Sequence, residues 1–377
     1  MDIETYNAGY YEQHYQYKAF VPTEINKPWL FKEAALVDLL GRADRALGKL
    51  NAFAKLAPDI DFFIRMYVSI ESTQSNRIEG TQTGIEDTLR EAEDLHPELQ
   101  DDWAEVHNYI EAINDAIHAL DTLPLSSRLL RNTHKTMLKG VRGARKCPGE
   151  FRKSQNWIGV SLKDAMFVPP HHERIPRLMT DLEHFLNDTN HRVHPLIRIA
   201  IAHYQFETIH PFLDGNGRLG RLMISLFLAS EKLLEKPALY LSNYFERHKT
   251  AYIDHLMAVR NGNHMRDWLV FFLQAVLETA QSSASTFEKI LALKARIDSK
   301  VLPCFSTRRQ ANAQIIIRHL YARPIVTVKQ VASQIGSTQN TASAFITDFI
   351  TQGILHEMTS QRRNRLFVFR EYLDLFR

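Results

Sequence analysis

The chain has 377 residues, enough for two or three domains with a sizeable core. Its hydrophobic content of 45%, charged content of 24% and net charge of +3 are those of an ordinary globular protein, and they argue for neither a nucleic-acid nor a membrane partner. Two cysteines far apart in sequence, Cys147 and Cys304, fit no metal or redox spacing, so reduced thiols in a cytoplasmic protein are expected. The start, Met1-Asp2-Ile3-Glu4-Thr5, has no apolar leader segment, and the apolar run near Trp268–Leu277 is too short to span a bilayer.

Residues 1–30 are rich in tyrosine, lack clean periodicity, and are expected to run extended over the surface. Lys32–Leu50 predicts a helix with Ala35, Leu36, Leu39, Leu40 and Leu47 on one face. A second, Ile60–Glu79, carries Phe63, Met66, Tyr67 and Ile70 and stops at Gly80. Its last turn reads Ser75-Asn76-Arg77-Ile78-Glu79-Gly80-Thr81, with Ser75 and Glu79 facing the same way. A glutamate there opposes the helix dipole unless a cation lies nearby. Helices are predicted over Thr83–Ala92, Asp102–Leu120 and Arg128–Leu138; His134, on the last, is given no role. Trp157–Leu162 and Met166–Val168 read as a β-hairpin, either a simple surface hairpin or an open edge able to hold a peptide by strand addition. Arg174–Asn187 is amphipathic and helical.

Leu196, Ile199, Ala202, His203, Phe206 and Ile209 recur at helical spacing before His210-Pro211-Phe212-Leu213-Asp214-Gly215-Asn216-Gly217-Arg218-Leu219-Gly220-Arg221, and Leu222, Met223, Leu226 and Phe227 follow it. These twelve residues predict a helix–loop–helix turn built for anions. Gly215 and Gly217 permit positive φ, letting consecutive amides form a nest beside a helix N-terminus. Arg218 and Arg221, three apart, can share a face toward phosphates. Asp214 offers the hard oxygen that Mg²⁺ prefers, and His210 suits a general base. No P-loop occurs.

Beyond the motif, helices are expected over Arg221–Leu234, Asn243–Val259, Arg266–Glu278 and Thr279–Ile297. In the last third come a helix Ala311–Tyr321, a capping box at Thr327–Gln330 opening a helix to Ile335, and a third helix to Gln352. Strands Ile354–Met358 and Leu366–Phe369 flank a turn holding Arg362, Arg363 and Arg365. That order is winged-helix-like, with the basic turn as wing tip. The helix Gln339–Thr351 carries no Arg or Lys, so docking or dimerisation stands beside DNA binding as its use.

The twelve-residue stretch matches every defined position of the Fic signature, His-x-Phe-x-[Asp/Glu]-Gly-Asn-Gly-Arg-x-x-Arg, and the chain resembles that family over roughly residues 30–280. Ser75-x-x-x-Glu79-Gly80 resembles the family's inhibitory motif, and Arg77-Ile78-Glu79-Gly80-Thr81 its N-terminal module. The chain is expected to be mainly α: the resemblance implies an N-terminal helical module (1–105) and a Fic core with a small β-hairpin flap (106–280), and the element pattern alone adds the winged-helix-like C-terminal unit (281–377). It implies transfer of AMP from Mg²⁺–ATP to a hydroxyl of a target protein, with His210 as base and Asp214 as metal ligand. Gly215, Asn216, Gly217, Arg218, Leu219, Gly220 and Arg221 would surround ATP, and Tyr252 falls where relatives place an aromatic against adenine, though it is equally a core or rim residue. Glu79, aligned by Ser75, would pair with Arg221 and hold it from the γ-phosphate. Relatives often dimerise, and some use other donors or remove AMP. A nucleotide-sensing DNA-binding regulator is the alternative from another class.

Overall fold

The computed structural model describes residues 1–56, 60–188, 190, 193–359 and 365–376. The N-terminal segment is not loosely extended. Strands β1 (Gly9–Gln13) and β2 (Lys18–Pro22) form an antiparallel hairpin pairing Gly9 with Pro22 and Gln13 with Lys18. Ala19, Phe20 and Val21 are buried, and the Phe20 amide donates to the Val168 carbonyl at 2.9 Å. The tyrosines of β1 are half exposed, which hid the strand's alternation from a periodicity reading.

Helices α1 (Ala34–Leu56) and α2 (Ile60–Ile78) follow. The helix expected over Thr83–Ala92 is a single turn, α3 (Ile85–Thr88), then a 3₁₀ turn at Ala92–Asp94. Asp87 Oδ2 accepts from the Gly84 amide at 3.2 Å, which caps the start of this turn, and the Thr88 hydroxyl donates to the Gly84 carbonyl. Next come α4 (Pro97–Ala119), α5 (Ser127–Met137), the hairpin β3 (Ile158–Gly159) and β4 (Ala165–Phe167), and α6 (Ile175–Asn187).

At the centre lie α7 (Pro195–Ile209) and α8 (Asn216–Ser230). Every residue from Leu196 to Ile209 is buried, as expected of a helix surrounded by others. Helix α8 starts at Asn216, inside the glycine motif, and ends at Ser230, earlier at both ends than the pattern predicted. The single helix expected over 243–259 is broken at His248 into α9 (Ser242–Arg247) and α10 (Lys249–Gly262). Conversely, the two helices expected over 266–297 are one, α11 (Met265–Arg296): no breaker separates them, and the stripe Leu277, Ala280, Ala284, Phe287, Ile290 stays buried throughout. Helix α1 packs along it.

The last part runs α12 (Thr307–Ala322), β5 (Ile325–Thr327), α13 (Val328–Gln334), α14 (Gln339–Thr351), β6 (His356–Glu357), β7 (Leu366–Val368) and α15 (Arg370–Asp374). Its antiparallel sheet has the order β5-β7-β6, and β5 was not foreseen. The capping box on α13 is formed, with the Gln330 amide donating to Thr327 Oγ1. Arg362 and Arg363 lie outside the described residues; Arg365 pairs with Glu357 at the sheet edge. Helix α12 packs on α2, where the Phe63 ring meets Tyr321 edge-on at 5.2 Å. No helix among the described residues is long and apolar enough to cross a membrane.

Candidate active site

The α7–α8 turn is held by side chains that close its carbonyls one by one. Arg152, buried, donates to the carbonyls of His210 (3.0 Å) and Pro170 (2.5 Å), and its amide donates to the Pro211 carbonyl (2.9 Å). Asn156 Nδ2 donates to the carbonyls of His210 and Phe212. Asn216 folds back onto the same loop: its Oδ1 accepts from the Phe212 amide (2.8 Å) and its Nδ2 donates to the Phe212 carbonyl (2.9 Å). His134, from α5, takes the Gly149 amide on Nδ1 (2.9 Å) and so donates from Nε2 to the Asp214 carbonyl (2.8 Å). Its ring stacks on Phe212 at 3.9 Å, and burial lowers its pKa to about 4, keeping it neutral. The helix residue given no role is thus a peg for the loop.

His210 caps α7 in the left-handed region (φ 50, ψ 59), which turns its side chain out of the helix into a pocket of about 320 Å³. Burial, then the guanidinium groups of Arg260 and Arg152, lower its pKa to about 4. Its Nδ1 faces the Glu207 carbonyl at 3.4 Å, so Nε2 is left as the proton acceptor. Gly215, at φ 75, caps the start of α8, and Gly215, Asn216 and Gly217 line the pocket at the helix end whose amides lack intrahelical acceptors. Gly217 does not have the positive φ expected of it. Its reason is steric: a Cβ there would lie 2.4 Å from Glu79 Oε1. Asp214 also lines the pocket, its side chain 35% exposed, with Oδ1 accepting from the Gly215 amide. Asp214 thus presents an accessible carboxylate beside these amides, a hard oxygen of the kind Mg²⁺ takes together with water and phosphate oxygens.

The two arginines part company. Arg221 enters the pocket and is gripped by the end of α2: Nε donates to Ser75 Oγ (3.0 Å), Nη2 to the Ser75 carbonyl (2.9 Å) and to Glu79 Oε1 (2.7 Å). Burial acts to raise the Glu79 pKa, but Arg221 outweighs it and the carboxyl titrates below its ordinary range. Lys249 completes this helix end by donating to the Ile78 carbonyl at 2.6 Å. Arg218 instead reaches Glu105 of α4 (2.8 Å) and Asn76 Oδ1 of α2 (3.2 Å), with 1% of its surface exposed, and its Nη2 lies 3.6 Å from Asp214 Oδ1. It does not line the pocket beside Arg221; Glu105 is its nearer, buried carboxylate. Leu219 is core, and Gly220 backs onto Glu207, where a Cβ would meet Oε1 at 2.2 Å. Tyr252 lines the pocket wall, but its hydroxyl is bonded to His203 Nε2 (2.8 Å) and its ring stacks on Phe245 at 4.6 Å.

Sequence reasoning missed Glu207. It lines the pocket one helical turn before His210, is 6% exposed, and its Oε1 has no hydrogen-bond partner. Burial raises its pKa to about 7 against the opposing pull of Arg221. Over the mouth stand Trp157, Ile158 and Met166 of the flap, pinned from behind by Arg260, whose guanidinium lies 3.9 Å from the Phe167 ring centre and whose Nε donates to Thr208 Oγ1.

The pocket thus brings together, between two central helices, a helix-capping imidazole, backbone amides at a helix start and an arginine bonded to a carboxylate. Residues 37–118 match the Fic/DOC family N-terminal model and residues 124–228 the Fic/DOC family model; the chain belongs to the Fic/DOC family. It is 41% identical over 81 residues to the protein adenylyltransferase Fic of Drosophila grimshawi (21% of this chain, 16% of that protein). It is 32% identical over 151 residues to the protein adenylyltransferase Fic of Aedes aegypti (40% of this chain, 26% of that protein). The chain thus spans about a quarter or less of these relatives' length. Among solved structures, its fold resembles a Fic family protein from Desulfovibrio desulfuricans (TM-score 0.58, 21% identity, 91% of this chain and 98% of that one). It also resembles a Fic domain containing signaling protein from Bacteroides thetaiotaomicron (TM-score 0.55, 18% identity, 66% and 97%).

Proposed function

We propose that the pocket transfers AMP from Mg²⁺–ATP to a serine, threonine or tyrosine hydroxyl of a target protein, and onto the chain itself, with Glu79 as an internal brake. The observation that carries this reading is His210: an unprotonated imidazole with Nε2 free, set beside the amide nest of α8. The hydroxyl oxygen attacks the α-phosphorus, its proton passes to His210 Nε2, and the α–β bridging oxygen leaves with pyrophosphate. Gly215, Asn216 and Gly217 offer backbone amides to the phosphates, while the Asn216 side chain keeps the loop shut. Asp214 is the carboxylate that would hold Mg²⁺, which when bound neutralises charge on the phosphates. Arg221 meets the γ-phosphate once Glu79 has moved aside. Arg218 acts from behind, tying α8 to α4 through Glu105.

The relatives' names support the reaction class, and the exposed Trp157 and Met166 on a two-stranded flap support a polypeptide acceptor held at the strand edge. The test is incubation with Mg²⁺ and ATP labelled on the α-phosphate, followed by intact mass. A gain of one AMP is expected, and His210→Ala should abolish it while ATP binding survives. Transfer retained in His210→Ala would remove that residue as the base.

A further inference from the structure

The molecule carries a second, larger cleft between α2 and the C-terminal unit. It has a volume of about 570 Å³ and is lined by Phe62 and Arg65 of α2, Arg318 and His319 of α12, Arg323 just beyond α12, and Glu91. That volume is in the usual range for small-molecule sites, about 300–1,000 Å³. A neighbouring cavity of about 400 Å³ shares Arg65, Glu91 and Arg323 and adds Arg90, with Trp103 and His107 stacked at 3.5 Å in its wall.

The charge in this cleft is one-sided. Arg65, Arg318 and Arg323 face a single carboxylate, Glu91, and that carboxylate is already engaged by Arg323 (2.9 Å) and Gln330 Nε2 (2.9 Å). Of the residues lining these cavities, His319 in the first and Arg90 in the second each carry a buried nitrogen with no hydrogen-bond partner, Nε2 and Nε respectively. The Arg90 guanidinium lies 3.8 Å from Asp87. The field agrees with this count. Burial lowers the pKa of His319, and Arg323 and Arg65 lower it further; at His107 burial and Arg323 act the same way, against Glu91. At His319 both charge contributions are positive.

We propose that this cleft binds a small phosphate-bearing ligand, with Arg65 and Arg318 as its principal contacts and Arg323 turning from Glu91 to join them. Guanidinium forks on two separate elements suit a ligand with more than one phosphate. Such a ligand would bridge α12 to α2, the helix whose far end carries Ser75 and Glu79. Arg65 and Glu79 are about 21 Å apart along the helix axis, at 1.5 Å per residue.

The test is isothermal titration of the full chain with inorganic pyrophosphate at fixed ionic strength, comparing wild type, Arg65→Gln/Arg318→Gln and Arg318→Lys. Both side chains are exposed, so the variants should fold, which melting curves check. The double variant should lose about tenfold or more in affinity, a loss of at least ~1.4 kcal/mol, and Arg318→Lys should lose less. If the catalytic pocket also binds pyrophosphate, two classes of site appear, and the double variant should remove only one. Pyrophosphate binding unchanged in the double variant, or no binding to wild type, would overturn the proposal.

Discussion

Replacing Glu79 by glycine tests the brake most directly. Arg221 holds three hydrogen bonds to the end of α2, and only one involves Glu79; the bonds to the Ser75 hydroxyl and carbonyl stay. The substitution therefore frees one edge of the guanidinium without releasing the side chain. Glu79's side chain is 36% exposed whereas that of Arg221 is 2% exposed, so the pair lies between an exposed ion pair and a buried one. A value of ~1–2 kcal/mol follows, or a factor of roughly 5–30 in the fraction of molecules whose Arg221 can accept a γ-phosphate. The assay is the initial rate of AMP incorporation from α-labelled ATP at saturating Mg²⁺. Glu79→Gly should raise that rate by the same factor, and Glu79→Gln, which keeps an acceptor but no charge, should fall between. Because the pair is partly solvated, added salt should narrow the gap between wild type and Glu79→Gly. A wild-type rate already equal to that of Glu79→Gly, with both proteins folded, would refute the brake.

Gly217→Ala should lower the melting temperature of the wild type, since its Cβ would lie 2.4 Å from Glu79 Oε1, and should be tolerated in the Glu79→Gly background; equal losses in both would show that the clash is not with Glu79. Glu207, with its pKa raised from 4.5 to about 7, binds its proton more tightly folded than unfolded, so its contribution is favourable at low pH and is lost as pH rises through 7. Glu207→Gln should remove that dependence, worth at most ~3 kcal/mol above pH 7 by denaturant unfolding, and should flatten any rise in the KM for ATP across pH 7; unchanged pH profiles would exclude the role. His210, with a pKa of about 4, should give kcat at saturating ATP no inflection near the ordinary histidine range, its protonation lowering kcat as pH drops toward 4. His134→Ala leaves the buried Gly149 amide without its acceptor and removes the ring under Phe212, and should cost ~2–4 kcal/mol in stability, read by denaturant titration; unaltered stability would show the loop does not depend on that peg.

The site was legible where chemistry is local in the chain. The twelve residues from His210 announce a turn between two helices, and the structure gathers His210, Asp214, Gly215, Asn216, Gly217 and Arg221 around one pocket because they are neighbours in the chain. The partnership of Glu79 with Arg221, 142 positions apart, came from resemblance to a family pattern and not from any periodicity. What stayed hidden was the scaffolding around the loop. Arg152, Asn156 and His134 act through backbone carbonyls 54 to 80 positions away, and carbonyls leave no mark in a sequence. Arg218 was misread for a related reason: a guanidinium suits a carboxylate as well as a phosphate, and the spacing of Arg218 and Arg221 cannot reveal that Glu105 waits on another helix. Helix boundaries went astray where the deciding contact was tertiary. The buried stripe of α11 runs through Glu278 and Thr279 because α1 lies beside it, and the break at His248 shows no glycine or proline.

Arg152 has a mechanical consequence. One planar group holds the carbonyl at the foot of the flap, Pro170, and the carbonyl of the base itself, His210. Its burial lowers its pKa to about 10, still far above neutrality, so this fastener does not loosen with pH. Under the proposed function, a polypeptide pressing on the flap strand would therefore pull on His210 through Arg152. Acceptor and base would be geared together, so an acceptor that seated the flap poorly would also set the imidazole poorly. Discrimination among target segments would then reside in how well they seat the flap.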